Sequence, residues 1–477
     1  MRKYGMALAV LTILWALPTG AAPEDTLKIK AAEQLRRAAA FFREQVAVEG
    51  GYLWRYSADL TRREGENKVT PTMAWVQPPG TPSVGLAFLD VYKKTGDPYY
   101  LEAAIETANA LVKGQLQSGG WTYHIEFDPD KRKGYAYRSD GRTEAHNVTT
   151  LDDDTTQAAL RCLIRVDHEL DFKDATIHEA ALFGLDSLLR AQYPNGAWPQ
   201  RYSEFPDPEK YPIKKATYPD DWSRMYTGID YTGYYTLNDN TLADTIALMD
   251  LAAETYSEER YRAAWRKAGD FILLAQMPDP QPAWAQQYDL DMHPAWARKF
   301  EPPAITGGES QGILRVLLEF HAKTGDRRYL DSVCRALAYL KASRRSDGLL
   351  ARFYELKTNK PLYFTKAYEL TYSDADTPTH YSFTAYFNLD AIEADYRAAC
   401  DVEGNAPPDN NTEPPAASPA ADQVEKIIAA LDARGAWVES GRLRYHGEDD
   451  PAREIIDTQT FISNISVLSA YIADVKE

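Results

Sequence analysis

The chain has 477 residues, 44% hydrophobic and 12% aromatic, with 53 Lys and Arg against 70 Asp and Glu and a formal charge of −17. That is ample apolar material for one large core or two domains, and too much for a disordered chain. So acidic a surface would approach phosphates against its own field, which argues against nucleic-acid binding, and no segment beyond the first two dozen residues is apolar enough to span a bilayer.

At the N-terminus Arg2 and Lys3 precede an apolar run over residues 6–17 and then the small residues Gly20, Ala21 and Ala22. This is the pattern of a secretory signal peptide over residues 1–22, and it implies a secreted or periplasmic protein. A leading helix is expected over residues 26–48. Four segments then repeat one plan, at residues 85–121, 158–198, 245–284 and 313–354: an amphipathic helix, a short turn, a second helix, and a turn into an aromatic residue. Their final aromatics, Trp121, Trp198, Trp284 and Tyr354, are spaced 77, 86 and 70 residues apart. Apolar residues fall at helical spacing, as with Leu160, Leu163 and Ile164, or Ile313, Val316, Leu317 and Phe320, so each helix has one face to bury.

A helix pair cannot cover its own faces, so successive pairs must stack, and a short stack of such units can curve until it closes. The expected fold is all-α, an (α/α) toroid over residues 23–403 with short β elements in the loops. A Pro- and Ala-rich linker is expected at residues 404–421, and a C-terminal helical segment at 422–477, with closing helices at 424–433 and 460–475, docked on the toroid. Cys162, Cys334 and Cys400 are too few for a disulfide framework, lack metal-ligand spacing, and are expected to be buried thiols.

Loops at the same point of each repeat emerge on one face. The loop before each first helix reads PPGTPS (residues 78–83), LDDDTT (151–156), LNDNT (237–241) and TGGES (306–310). Asp and Asn cap helices, but three successive carboxylates exceed what a cap needs. Asp152, Asp153 and Asp154 repel one another unless neutralised, which with Asp239 suggests an oxygen-ligand cation site; Asp152, Asp154 and Asp239 are the expected metal ligands. After the second helices, Arg recurs beside aromatics: Arg201 with Trp198 and Tyr202, Arg298 and Lys299 with Trp296 and Phe300, Arg352 with Phe353 and Tyr354. Aromatic faces suit sugar rings and the guanidinium fork suits carboxylates, so Trp198, Arg201, Tyr202, Lys299, Arg352 and Tyr354 are expected to bind an acidic polysaccharide. For each one, the alternative is an aromatic core covered by an Arg stem.

The stretches AQYPNGAWPQRY (191–202), LNDN (237–240), PAWARKFEPPAITGGESQGI (294–313) and ARFYELKTNKPLY (351–363) resemble the pectic acid lyases of polysaccharide lyase family 10, over roughly residues 80–395. The resemblance implies an (α/α) toroid that cleaves polygalacturonate by β-elimination with Ca2+, and a monomer is expected. It also implies that Arg298 is catalytic, as the proton acceptor, that Asp152 (or Asp154) and Asp239 are the active-site carboxylates, and that Arg352 binds substrate. Residues 215–235 form an insertion longer than the usual connection. Since arginine is ordinarily protonated, an alkaline optimum is expected, and Lys299, Tyr202 or His293 are the other bases to weigh. Two further readings stay open. One is a uronide hydrolase on the same toroid, using Asp153 with Asp239 or Glu309 as acid and base. The other is a secreted polysaccharide-binding protein without catalysis.

Overall fold

A computed structural model describes residues 23–385, 388–402 and 419–474. The expected leader at 1–22, most of the linker at 404–421 and the last residues of the C-terminal segment lie outside the described residues. The helices are α1 (Pro23–Phe41), α2 (Thr81–Thr95), α3 (Pro98–Gly114), α4 (Thr155–Glu169), α5 (Ala175–Ala191), α6 (Thr241–Tyr256), α7 (Glu259–Ala275), α8 (Glu309–Thr324), α9 (Arg327–Ala342), α10 (Leu389–Val402), α11 (Ala421–Ala429) and α12 (Thr458–Ala473). Helices α12, α2, α4, α6, α8 and α10 pack in succession as one layer, and α1, α3, α5, α7 and α9 each pack against their partner as the second. The fold is an (α/α) toroid.

Local signals set the helix ends. In the pairs α2/α3 and α8/α9 the same four residues, Lys-Thr-Gly-Asp, make the turn. Gly96 and Gly325 each sit at φ +69, the left-handed conformation that ends a helix, and a Cβ at either position would meet nothing within 4 Å, so backbone angle and not space demands glycine there. Asp97 and Asp326 follow as N-caps, each accepting from the backbone N–H two residues on.

In every unit, a short strand before the first helix pairs antiparallel with one after the second. Met73–Trp75 pairs with His124–Glu126, Thr149–Thr150 with Arg201–Tyr202, Tyr235–Thr236 with Gln287–Tyr288, and Ala304–Thr306 with Phe353–Glu355. These pairs gather the two groups of loops on one face. In three of the four units the closing Trp is the anchor: Trp121, Trp198 and Trp284 are fully buried, and each indole N–H donates to a carbonyl near the end of the second helix, Leu111, Leu188 and Ile272, at 2.8–2.9 Å. Trp437 does the same to Ile427.

One unit is shared between the chain ends. Strand Glu454–Asp457 pairs with Arg55–Ser57, α12 packs between α1 and α2, and Phe461 of α12 stacks on Phe42 at 3.5 Å with Phe88 at its edge. The C-terminal segment thus supplies the first helix of the unit whose second helix is α1. Deleting residues 422–477 leaves the apolar faces of α1 and α2 bare, and is expected to abolish the cooperative melting transition in circular dichroism. A sharp transition within a few degrees of the full chain would show that the segment is dispensable.

The cysteines differ from the expectation that all three are buried. Cys162 is buried, but Cys334 is exposed and Cys400 is partly exposed, because the apolar spacing around Cys334 belongs to the neighbouring face of α9.

Candidate active site

The loops before α4 and α6 fold alike. Asp152–Asp154 and Asn238–Asn240 are single 3-10 turns in contact with each other. In each, two consecutive residues are left-handed, Asp153 (φ 50) with Asp154 (φ 56) and Asp239 (φ 47) with Asn240 (φ 57). Residues with a Cβ pay about 1–2 kcal/mol for this conformation, least for Asp and Asn, so the sequence and the backbone agree. The turns are held from behind: Leu151 N–H donates to Gln200 O at 2.8 Å, Leu237 N–H to Gln286 O at 2.7 Å, and buried Gln157 donates to Leu151 O at 2.9 Å.

This strained pair of turns brings one carboxylate oxygen each from Asp152, Asp153 and Asp239 within 4.8 Å of one another. Tyr123 donates to Asp152 Oδ2 at 2.7 Å, and Arg201 approaches the same oxygen at 3.4 Å. Gln77 donates to Asp153 at 3.0 Å, and Asn238 to Asp239 at 2.9 Å. Burial and the Asp152 charge push Asp153 up to about 6; burial pushes Asp239 up to about 7, with Arg298 opposing and Asp152 and Asp153 adding to the rise. Asp152 Oδ1 is buried and has no hydrogen-bond partner among the described residues. Three oxygen donors with an unmatched lone pair and mutual repulsion fit a hard cation such as Ca2+.

Around the carboxylates stand three arginines. Arg298 forks onto Glu301, with Nε at 2.7 Å and Nη2 at 2.5 Å, and reaches Asp239 at 3.3 Å. Glu301 is fully buried and also accepts from Tyr381 at 3.0 Å. Burial works to lower the Arg298 guanidinium, but Glu301 and Asp239 outweigh it and hold the group well above its ordinary range. Arg352 pairs with Glu309 at 3.0 Å and lies 4.5 Å over the Tyr381 ring. A sheet through Phe353–Glu355 and Pro361–Phe364, with Trp296, Phe300 and Phe383 packed against it, holds this side of the cleft in place.

The structure brings together Asp152, Asp239, Arg201, Arg298 and Arg352, and corrects other expectations. Asp154 is turned away from the cluster and paired with Arg161 at 3.0 and 3.2 Å; Asp153 takes its place, because the left-handed backbone of both residues swings one side chain to each side. Trp198, Tyr202 and Tyr354 do not face the cleft. Trp198 is the anchor of its unit, Tyr202 is buried against Ser187, and Tyr354 is buried with its hydroxyl on Ser343 O at 2.7 Å. Successive strand residues point to opposite sides, so the same strand that aims Arg201 at Asp152 turns Tyr202 inward. Lys299 is exposed, 3.5 Å over the Tyr368 ring, and His293 lies 3.8 Å from Asp289. Sequence reasoning missed Gln77, Tyr123, Glu301 and Tyr381. Of these, Glu301 carried a signal: an acid three residues after Arg298 within the same motif.

A family model described as pectic acid lyase matches residues 130–327. Among solved structures, a family 10 polysaccharide lyase from Cellvibrio cellulosa is similar at 20% identity and a TM-score of 0.44, over 66% of this chain and 95% of that one. A mutant of that lyase in complex with trigalacturonic acid gives 20% identity and a TM-score of 0.44, over 67% and 98%. Cellobiose 2-epimerase from Bacillus thermoamylovorans gives 12% identity and a TM-score of 0.45, over 94% and 99%. A search of curated proteins finds no match. Over residues 130–327, which hold Asp152, Asp153, Arg201, Asp239, Arg298, Glu301 and Glu309, the chain resembles the pectic acid lyases.

Proposed function

We propose that this chain is an exported polysaccharide lyase that cleaves polygalacturonate or a closely related acidic polysaccharide by calcium-assisted β-elimination. The observation that carries the reading is the convergence of Asp152, Asp153 and Asp239 opposite Arg201, Arg298 and Arg352 in one cleft. Cleaving a 4-linked uronide this way removes the C5 proton, spreads the resulting charge into the C6 carboxylate, and expels the C4 oxygen. Asp152, Asp153 and Asp239 would hold the cation, which when bound supplies positive charge beside that carboxylate. Arg201 and Arg298 add fixed positive charge, positioned in advance by Asp152 and by Glu301, where negative charge gathers.

The role of Arg298 as proton acceptor is harder to reach. Glu301 and Asp239 both favour its protonated form, so a neutral guanidine becomes accessible only when Asp239 is committed as a ligand and the pH is high. Hydroxide from solvent, a second acceptor, also increases with pH. Activity is therefore expected to climb into the alkaline range, and a rate that is flat from mildly acidic pH upward would count against both acceptors.

The gathering of three carboxylates favours the lyase over the hydrolase: one oxygen from each lies within 4.8 Å of the others, an arrangement whose mutual repulsion a shared cation relieves, whereas glycoside hydrolysis needs a pair. Glu309, the other partner weighed for Asp153, is taken by Arg352, Gln286 and Thr306. The test is ultraviolet absorbance of the unsaturated product when the protein meets polygalacturonate at alkaline pH, with calcium or with chelator. A calcium-dependent rise supports the proposal. Reducing ends without absorbance would indicate a hydrolase, and binding without either signal a carbohydrate-binding protein.

A further inference from the structure

The insertion at residues 215–235 does more than lengthen a connection. Near its middle, Ser223 O accepts from the Trp296 indole at 2.9 Å, two residues before Arg298, and Trp222 and Tyr226 pack against the Trp296 ring. At its far end, Thr232 O accepts from Arg201 N–H at 3.0 Å and Gly233 O from the Tyr193 hydroxyl at 2.7 Å. The segment thus runs from the Arg298 side of the cleft to the Arg201 side, fixed at both. Between the fixed points Tyr231 sits in a closed turn: its carbonyl accepts from Tyr234 N–H at 2.9 Å, and Asp230 accepts from Thr232 N–H at 3.0 Å.

The Tyr231 phenol is half-buried, and the charges that act on it are those of Glu301, Arg298, Asp152 and Arg201. Among the described residues, two other tyrosines whose hydroxyls meet site carboxylates are committed. Tyr123 gives its proton to Asp152 and Tyr381 gives its own to Glu301. The Tyr231 hydroxyl makes no hydrogen bond among the described residues. An unengaged phenol, carried on a segment tied to the Arg298 and Arg201 sides of the site, can donate to something that binds there.

We propose that Tyr231 is the catalytic acid that protonates the departing glycosidic oxygen. The inference rests on the lyase reading. As the C5–H bond breaks, its electron pair becomes the C4=C5 double bond. The C4–O4 pair leaves with O4, which takes the Tyr231 proton, and the phenolate regains a proton from water. Burial, followed by the Glu301 charge, raises the phenol above its ordinary range, so it still carries its proton at the alkaline pH where proton removal from C5 is fastest. The expelled sugar alkoxide is a poor leaving group, and general acid assistance of this kind is worth about 10²–10⁴-fold.

The experiment compares wild type with Tyr231→Phe on polygalacturonate and on a uronide carrying 4-nitrophenoxide at C4, a leaving group that needs no proton. On polygalacturonate the variant is expected to lose about 10²–10³-fold in kcat with KM within about twofold, and on the nitrophenoxide substrate to stay within about threefold of wild type. Melting temperature should not move, since the hydroxyl has no partner to lose. Equal rates on polygalacturonate overturn the proposal, and an equal loss on both substrates overturns it in favour of a positioning role. A wild-type protein that forms no unsaturated product from either substrate overturns the lyase reading and this proposal with it.

Discussion

Arg298→Lys is expected to lower kcat/KM on polygalacturonate by about 10²–10³-fold while the protein stays folded. Lysine keeps the positive charge but cannot fork onto Glu301 while also reaching Asp239, as Arg298 does with Nε on one oxygen and Nη2 shared between two carboxylates. The loss is therefore of aim rather than charge, and it should fall on kcat more than KM. Arg298→Ala is a harsher change. It leaves Glu301 fully buried with Tyr381 and the backbone N–H of residue 298 as partners. Breaking a buried ion pair costs about 3–5 kcal/mol, but the Arg298 side chain is 40% exposed, so about 2 kcal/mol is the better expectation. Adding Glu301→Gln to Arg298→Ala should recover most of that stability and none of the activity. Urea melts read the first quantity and unsaturated-product absorbance the second. Recovery of both would mean that Arg298 acts only by keeping Glu301 folded in place.

Different physics governs what the sequence disclosed and what it hid. The toroid was readable because each helix buries one face and each unit ends on an aromatic residue, Trp in three and Tyr354 in the fourth, and both leave a periodic trace. That trace also misled. Trp198 was read as a sugar platform, yet its equivalence to Trp121 and Trp284 marks it as core, and all three donate to the same point of their units. Tyr202 failed for a local reason, since it neighbours Arg201 on a strand and must face the other way. The acidic loop was visible, but which aspartates converge was not. That depends on two left-handed residues and on Arg161, seven residues beyond Asp154, claiming that carboxylate. The unit shared between the chain ends left no periodic trace, because its two halves stand more than 400 residues apart.

Calcium affinity is expected to fall about 10³-fold between pH 8 and pH 5. The ligands must be ionised to bind, and Asp153 and Asp239 are pushed up to about 6 and about 7. At pH 8 nearly every site has both carboxylates charged; at pH 5 about one in a thousand does, although the cluster titrates as a unit and the steps belong to the set. The same shifts fix the sign of stability against pH. Both groups lie above their unfolded values, so their contribution to stability is fully present below the ordinary carboxylate range and is lost as pH rises through about 6 and about 7. Without metal the cluster weakens the fold as the solution turns alkaline, because three partly buried like charges then face one another. Calcium should reverse this, raising the melting temperature markedly at pH 8 and hardly at pH 5. Calorimetric titration at the two pH values checks the affinity, and thermal melts with calcium or chelator check the linkage. Asp153→Asn should remove most of the binding. Asp154→Asn should change it by less than about threefold, since that carboxylate faces Arg161. Equal affinity at both pH values, or loss of binding in the Asp154 variant alone, would place the cation elsewhere.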